Sequence, residues 1–159
     1  MSSPTARPIP PAVLTELRAA DDAGRAPVPA TDDEGGAPLR CCLRRSRPGE
    51  ETALVSYAPL RRWAASTGAD PGPYDEQGPV FVHAGRCAGP DGGGGLPFTD
   101  GHRTLRRYSA DGRILGGHLV EAGGDFGAAL GQAFADPAVA LVHVRAVEYG
   151  CFLYEVRRP

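Results

Sequence analysis

The sequence contains no lysine, so all 17 of its lysine-plus-arginine cations are arginines. A Schiff base to a carbonyl substrate needs a lysine amine, which excludes pyridoxal-phosphate enzymes and lysine-dependent aldolases. The phosphate-binding loop of nucleotide triphosphatases also needs a lysine, and this class is excluded as well. Asparagine is absent too, and both absences are typical of coding sequences rich in G and C.

Long apolar runs and targeting segments are also lacking. No run approaches the roughly 18 apolar residues of a membrane span, and the first residues have no basic segment followed by an apolar one. We therefore expect no membrane span and no secretory signal, which places the protein in the cytoplasm. There the four cysteines are expected as thiols or metal ligands instead of disulfides.

The composition that remains is ordinary for one globular domain. The 159 residues are 42% hydrophobic with a net charge of −2. Residues 1–37 are predicted as a flexible N-terminal segment with a short helix. Residues 38–159 are predicted as a single α+β domain, with a mostly antiparallel sheet of about six or seven strands and two helices, because hairpin connections dominate.

The local patterns behind this fold are alternation, helical spacing and turn dipeptides. Asp111-Gly112 is the best hairpin signal, and the glycine run at 89–95 is predicted as a loop. The predicted helices are 11–20 and 126–135, with a helical turn at 60–66, and the predicted strands are 39–45, 52–57, 80–84, 102–109, 113–121, 138–145 and 151–156.

Two segments share the same make-up, an apolar strand that carries a histidine and a cysteine shortly after it. The first contains His83 and Cys87, and the second contains His143 and Cys151. Imidazole and thiol are the side chains best suited to chemistry near neutral pH. These four residues are therefore the candidate catalytic residues.

The second segment predicts a shared surface on a β-ribbon. Side chains alternate between the faces of a strand, which sets His143 and Arg145 on one face of strand 138–145. If this strand pairs with 151–156 and the large apolar residues of both face the core, Cys151 lies on the same face as His143. We expect these three side chains to line one surface of the sheet.

Such a cluster predicts thiol chemistry on a small anionic metabolite. A cysteine thiolate attacks, a histidine lowers the thiol pKa and moves the proton, and an arginine holds the anion. The candidate substrate-binding residues are Arg40, Arg145, Tyr74 and Tyr149.

Cys41 and Cys42 are adjacent on a predicted strand. Neighbours on a strand point in opposite directions, so at most one of the two thiols is expected in any site. Cys42 would share a face with Arg40, and Arg40 is the better candidate for contact with an anion.

A zinc ion is the alternative use of the same side chains. Cys42, His83, Cys87 and His143 offer the donor atoms of a tetrahedral site. The spacing argues against it, because no Cys-x-x-Cys pair exists and His83 and Cys87 would stand ~13 Å apart on a continuous strand. Only a turn at Gly85 would bring them to one ion. We therefore predict no metal and no cofactor, with zinc as the alternative.

The functional prediction is a small cytoplasmic enzyme whose reaction class the sequence does not define. A non-catalytic module that binds a small ligand or a protein is the alternative, and a zinc-stabilised structural domain is a further one. Two arginine clusters, at 44–47 and 103–107, are interpreted as a solvated face, since the acidic net charge disfavours nucleic acid. The oligomeric state stays open.

The order of these motifs resembles the bacterial domain-of-unknown-function family 1203. The resemblance covers roughly residues 38–157. That family has no assigned activity, cofactor or catalytic residues, so the resemblance implies none for this chain. The residues that match the family pattern are Arg40, Leu43, Gly49, Glu50, Tyr74, Phe81, Asp111 and Cys151, within the segments 40–43, 48–50, 73–74, 78–83, 106–113, 136–145 and 149–152.

Overall fold

A computed structural model of the chain describes residues 3–92 and 95–159, and these form an α+β protein with three α-helices and two β-sheets. Part of the predicted glycine loop, residues 93 and 94, lies outside the described residues. The elements are α1 (Pro11–Ala19), β1 (Ala30–Asp32), β2 (Pro38–Leu39), β3 (Arg44–Arg45), β4 (Glu50–Tyr57), α2 (Pro59–Thr67), a 3₁₀ turn (Gly72–Tyr74), β5 (Gly78–His83), β6 (Arg103–Ser109), β7 (Ile114–Val120), α3 (Phe126–Ala135), β8 (Val139–Ala146) and β9 (Phe152–Arg157).

The chain divides into two compact units. Unit 1 comprises the residues up to Arg7, Ala58–Glu76 and Thr99–Pro159, and unit 2 comprises Pro8–Tyr57 and Gln77–Phe98. Each unit has its own sheet, where the sequence predicted one. Within residues 3–92 and 95–159, no helix is both long and apolar enough to cross a membrane.

The sheet of unit 2 has the strand order β1-β4-β5-β2-β3. β4 and β5 form its long antiparallel pair, in which Thr52 faces His83. β2 runs parallel to β5, with Leu39 paired to Phe81. β1 was not predicted, because three residues flanked by glycine and acidic residues give too short a pattern.

The sheet of unit 1 has the order β7-β6-β8-β9, and all of its pairs are antiparallel. On one face, α2 contributes Leu60 and Trp63 to a core cluster with Tyr108 of β6 and Leu141 of β8. The Asp111-Gly112 turn joins β6 to β7, as predicted, and Gly112 takes a left-handed conformation with φ +81°.

The helices begin and end where their capping residues require. α2 starts with Pro59 in its first turn and stops at Gly68, whose left-handed conformation (φ +79°) lets its N–H bond the carbonyl of Ala64. The Asp125 carboxylate caps α3 by accepting the N–H of Ala128. The predicted helical turn at 60–66 is therefore a full helix, which brings the count of α-helices to three among the described residues.

Candidate metal centre

Cys41 and Cys42 lie on a tight turn and not on a strand. Residues 40–43 connect β2 to β3, and the Leu43 N–H donates to the carbonyl of Leu39 at 2.9 Å. Leu43 closes the turn with φ +58°, a left-handed conformation that a leucine rarely adopts. Because strand alternation does not apply on a turn, both sulfurs face the same side, 3.9 Å apart. The prediction that only one of these thiols can join a site was wrong for this reason.

His83 and Cys87 reach the same two sulfurs from β5. His83 is the last residue of that strand, and its Nδ1 lies 3.4 Å from Cys41 Sγ and 3.8 Å from Cys42 Sγ. The chain bends at Ala84-Gly85 and returns Cys87 to the cluster. The four ligand atoms of Cys41, Cys42, His83 and Cys87 all lie within 4.8 Å of one another.

These distances have the size of a zinc tetrahedron. Zinc–sulfur bonds of about 2.3 Å and zinc–nitrogen bonds of about 2.0–2.1 Å give edges of about 3.8 Å between sulfurs and 3.5 Å between sulfur and nitrogen. The Cys41–Cys42 separation of 3.9 Å and the His83 separations of 3.4 and 3.8 Å match these edges. Three of the four donors are therefore at tetrahedral spacing, and Cys87 Sγ, within 4.8 Å of the others, is near enough to be the fourth ligand.

Backbone amides stabilise negative charge on each of the three sulfurs. The His83 N–H donates to Cys41 Sγ at 3.2 Å, and the Gly89 N–H donates to Cys87 Sγ at 3.4 Å. Cys42 accepts a backbone hydrogen bond from Arg44. A thiolate is a stronger acceptor than a thiol, so amides aimed at all three sulfurs favour the form that binds metal.

Glu50 fixes the orientation of the His83 ring. Its Oε2 lies 2.8 Å from His83 Nε2, so the Nε2–H donates to the carboxylate and the Nδ1 lone pair points at the sulfurs. The Arg44 guanidinium donates two hydrogen bonds of 2.8 Å to the same carboxylate. These hydrogen bonds, with that of Arg44 first, hold the pKa of Glu50 well below its usual range. Metal-bound histidines commonly have such a carboxylate partner.

The pKa values of the two adjacent thiols are shifted in opposite directions. The Cys41 thiol donates to Cys42 Sγ, and this hydrogen bond lowers the pKa of Cys42 to about 6. The same hydrogen bond, together with burial, raises the pKa of Cys41. The hydrogen bond thus favours the thiolate form of Cys42, which is the form that binds a metal.

The second predicted histidine, His143, lies in unit 1 and is fully buried in the sheet. Its Nε2 lies 2.9 Å from Glu155 Oε1, and its ring packs between Tyr108 and Phe152, with centroids 4.8 and 5.0 Å away. Burial is the main cause that lowers the pKa of His143. The imidazole is therefore neutral and closed to solvent.

The predicted surface of His143, Arg145 and Cys151 fails at the loop end of the ribbon, next to the β8–β9 connection. The register of β8 and β9 shifts between Val144 and Arg145, so Arg145 pairs with Phe152. Regular alternation along 151–156 would set Phe152 on the face opposite Cys151 and His143, but its ring packs on the His143 ring. Cys151 precedes β9, where its Sγ lies 3.8 Å from the carbonyl of Tyr149. One bulged residue was enough to overturn the parity argument.

The predicted substrate-binding residues belong to two different units. Arg40 belongs to unit 2, where it is 3% exposed and bonds the carbonyl of Pro38. Arg145 belongs to unit 1 and pairs with Glu76 at 2.8 Å. Tyr74 packs against the core cluster beneath α2, and Tyr149 is 86% exposed.

The zinc alternative had named three of the four clustered residues, with His143 in place of Cys41. Cys41, Arg44 and the role of Glu50 were missed. The sequence signal that could have found them was the cysteine doublet followed by Pro48-Gly49-Glu50. Two adjacent cysteines can join one site only on a turn, and the turn at 40–43 had been predicted as a strand.

Comparison with known proteins gives a family and no activity. No curated protein and no solved structure matches the chain. One family, described as "Protein of unknown function (DUF1203)", matches residues 36–158 and so includes all four clustered donors. Since the match spans most of the sequence, the chain belongs to the DUF1203 family.

Proposed function

We propose that this protein binds zinc through Cys41, Cys42, His83 and Cys87. The observation that carries the proposal is the convergence of four ligand atoms within 4.8 Å of one another, three of them separated by the edge lengths of a zinc tetrahedron. Three thiolates and one imidazole form a soft donor set that suits zinc and disfavours magnesium or calcium.

The donor set favours a structural ion. Catalytic zinc sites keep three protein ligands and an open position for water or substrate, whereas structural sites use four. Cys41 and Cys42 are buried, and His83 and Cys87 are half-buried. An ion held by all four side chains would therefore be largely enclosed by protein. The ion would then act as a cross-link in unit 2, between the turn after β2 and the segment after β5.

Such a cross-link fits the weak secondary structure around it. β2 and β3 have two residues each, and no helix or strand lies between His83 and Phe98 among the described residues. Short strands and irregular segments bury little apolar surface, and small domains of this kind often depend on a metal. Zinc would supply the stability that this part of unit 2 lacks.

Elemental analysis of the purified protein tests the proposal. We expect about one zinc per chain, because structural zinc is bound tightly. Cys42→Ser and Cys87→Ser should each lower the zinc content below ~0.2 per chain, while Cys151→Ser, which changes a thiol outside the cluster, should leave it unchanged. Cobalt substitution should give the visible absorption of a tetrahedral thiolate site. Purified wild-type protein that neither contains zinc nor takes it up would overturn the proposal.

The thiol enzyme predicted from the sequence remains a prediction, and the same preparation separates it from a zinc site. A metal-free protein in which one thiol reacts much faster with iodoacetamide than the other three would favour the enzyme. A zinc-loaded protein with three protected thiols and a reactive Cys151 would favour the structural site.

A further inference from the structure

β7 is an unprotected edge of the unit 1 sheet. It is an outer strand of the order β7-β6-β8-β9, and only Val120 among its residues is buried. The opposite edge, β9, is covered in part by the N-terminal segment, since the Arg7 N–H donates to the carbonyl of Glu155 at 2.8 Å. No backbone bond of this kind covers β7 among the described residues.

The sequence of β7 carries neither the fixed charges nor the proline that usually protect an edge strand, and the protection it does have is a bulge at Leu115. Natural edges carry charges or proline to prevent pairing with other chains, and Ile114–Val120 contains neither. Three of its exposed side chains are apolar, since Ile114 is 39% exposed, Leu115 42% and Leu119 57%, and His118 is the exposed polar one. A strand without fixed charges, with mostly apolar exposed side chains and free ladder groups, is suited to pair with another strand.

The charges at its two ends indicate which strand. Arg113 precedes β7, Glu121 follows it, and both side chains are exposed. Neither makes an ion pair in the part of the chain that the structure describes. In an antiparallel pair of identical strands centred on Gly117, Arg113 of one copy lies opposite Glu121 of the other. This register also sets Leu115 opposite Leu119.

We propose that β7 pairs with β7 of a second copy of this chain, antiparallel about a two-fold axis at Gly117. A two-fold contact is self-complementary, so each Arg113–Glu121 and Leu115–Leu119 pair occurs twice. The residues nearest the axis, Gly116 and Gly117, have no side chains, and the Arg107 guanidinium lies against Gly116. The pairing would join the two four-stranded sheets into one continuous sheet.

The bulge in β7 limits the regular ladder without preventing the contact. The register with β6 shifts between Arg107 and Tyr108, which pair with Gly116 and Ile114 and leave Leu115 as the extra residue. The regular ladder between the two copies therefore runs from Gly116 to His118 across the axis, and Leu119 of each copy meets the bulged Leu115 of the other. Arg113 lies beyond the bulge, and its long side chain spans the roughly 7–8 Å to a diagonal neighbour on the facing strand.

Sedimentation of the zinc-loaded full chain over a concentration series tests the proposal. The wild-type protein should show twice the 16.6 kDa mass of one chain. Leu119→Lys should raise the dimer dissociation constant about a hundredfold, because it places an ammonium against an apolar partner at two equivalent positions. Leu54→Lys is the matched control, since Leu54 is 53% exposed in unit 2, and it should leave the dissociation constant unchanged.

Charge reversal tests the register itself. Arg113→Glu should weaken the dimer about tenfold, because the introduced carboxylate would face Glu121 of the other copy at two equivalent positions, and the double variant R113E/E121R should restore it. A monomer at all concentrations up to about 100 µM would overturn the proposal. A dimer indifferent to Leu119→Lys would overturn it too, and a dimer that the double variant does not restore would overturn the Gly117-centred register.

Discussion

The two units each contain a histidine that is paired with a glutamate, and the two pairs have almost the same geometry. Nε2 of His83 lies 2.8 Å from Glu50, and Nε2 of His143 lies 2.9 Å from Glu155. The difference lies at the other nitrogen. Nδ1 of His83 faces two sulfurs, whereas Nδ1 of His143 is buried without a hydrogen-bond partner among the described residues.

This comparison shows that a histidine–carboxylate pair does not by itself indicate chemistry. In both units the carboxylate fixes which ring nitrogen carries the proton. The surroundings of the second nitrogen then decide the role: two sulfurs make His83 a candidate ligand, while the rings of Tyr108 and Phe152 make His143 part of a core.

Removal of the metal should produce the largest difference in stability between the two units. Structural zinc contributes roughly 10 kcal/mol or more of apparent folding free energy in small zinc domains. Chelation under reducing conditions should therefore abolish hydrogen-exchange protection in 38–45 and 83–89 of unit 2. Residues 139–157 of unit 1 should keep theirs. Equal loss in both segments would contradict this separation, and added zinc should restore the protection.

Replacing each histidine by glutamine should give different defects. His143→Gln should lower the free energy of unfolding by about 2–3 kcal/mol, because it disturbs a buried hydrogen bond and leaves Glu155 poorly paired. Its zinc content should stay at one per chain. His83→Gln should instead lose the ion. Urea unfolding combined with elemental analysis measures both, and loss of zinc from the His143 variant would contradict the assignment.

The two glutamates should differ in their effect on metal affinity. Glu50→Gln should weaken zinc binding about 10–100-fold, because the amide no longer holds the His83 ring as a carboxylate does. Glu155→Gln should leave zinc affinity unchanged. Competition with a chromophoric chelator measures both dissociation constants, and a similar effect from the two variants would rule out a specific role for Glu50.

The buried pair of unit 1 should make stability depend on pH. Burial lowers the pKa of His143 from 6.5, so in mild acid the unfolded chain binds a proton that the folded chain does not. The free energy of unfolding should therefore fall as pH falls from about 7 toward the lowered pKa, by at most about 1.4 kcal/mol per unit. Urea unfolding at several pH values should show a shallower slope for His143→Gln than for the wild type. Identical slopes would contradict the prediction.

Much of the fold follows from local patterns in the sequence. The Asp111-Gly112 hairpin, the helix 126–135 and the strand 80–84 were each predicted within two residues of their observed bounds. Alternation and turn chemistry determine these elements over a few neighbouring residues. The division into two sheets was not predictable in this way, because β2 and β5 pair across a long stretch of intervening chain.

The candidate site was only half predictable for a related reason. His83 and Cys87 were recognised as a pair that a turn at Gly85 would close. Cys41 was missed because its turn ends at Leu43 in a left-handed conformation, and a leucine in the sequence does not predict that conformation. The Cys151 argument failed on a single bulge. Both errors come from backbone irregularities that tertiary packing imposes and residue alternation cannot reveal.

The parallel pairing of Leu39 with Phe81 determines where the donors meet. Cys41 lies two residues after Leu39, and His83 lies two residues after Phe81. Because β2 and β5 run parallel, the two donors therefore lie at the same end of the sheet. The length of polypeptide between the two donors is therefore irrelevant to coordination. Lengthening the β4–α2 connection should leave the donors in place, whereas one extra residue between Leu39 and Cys41 should displace both sulfurs of the doublet.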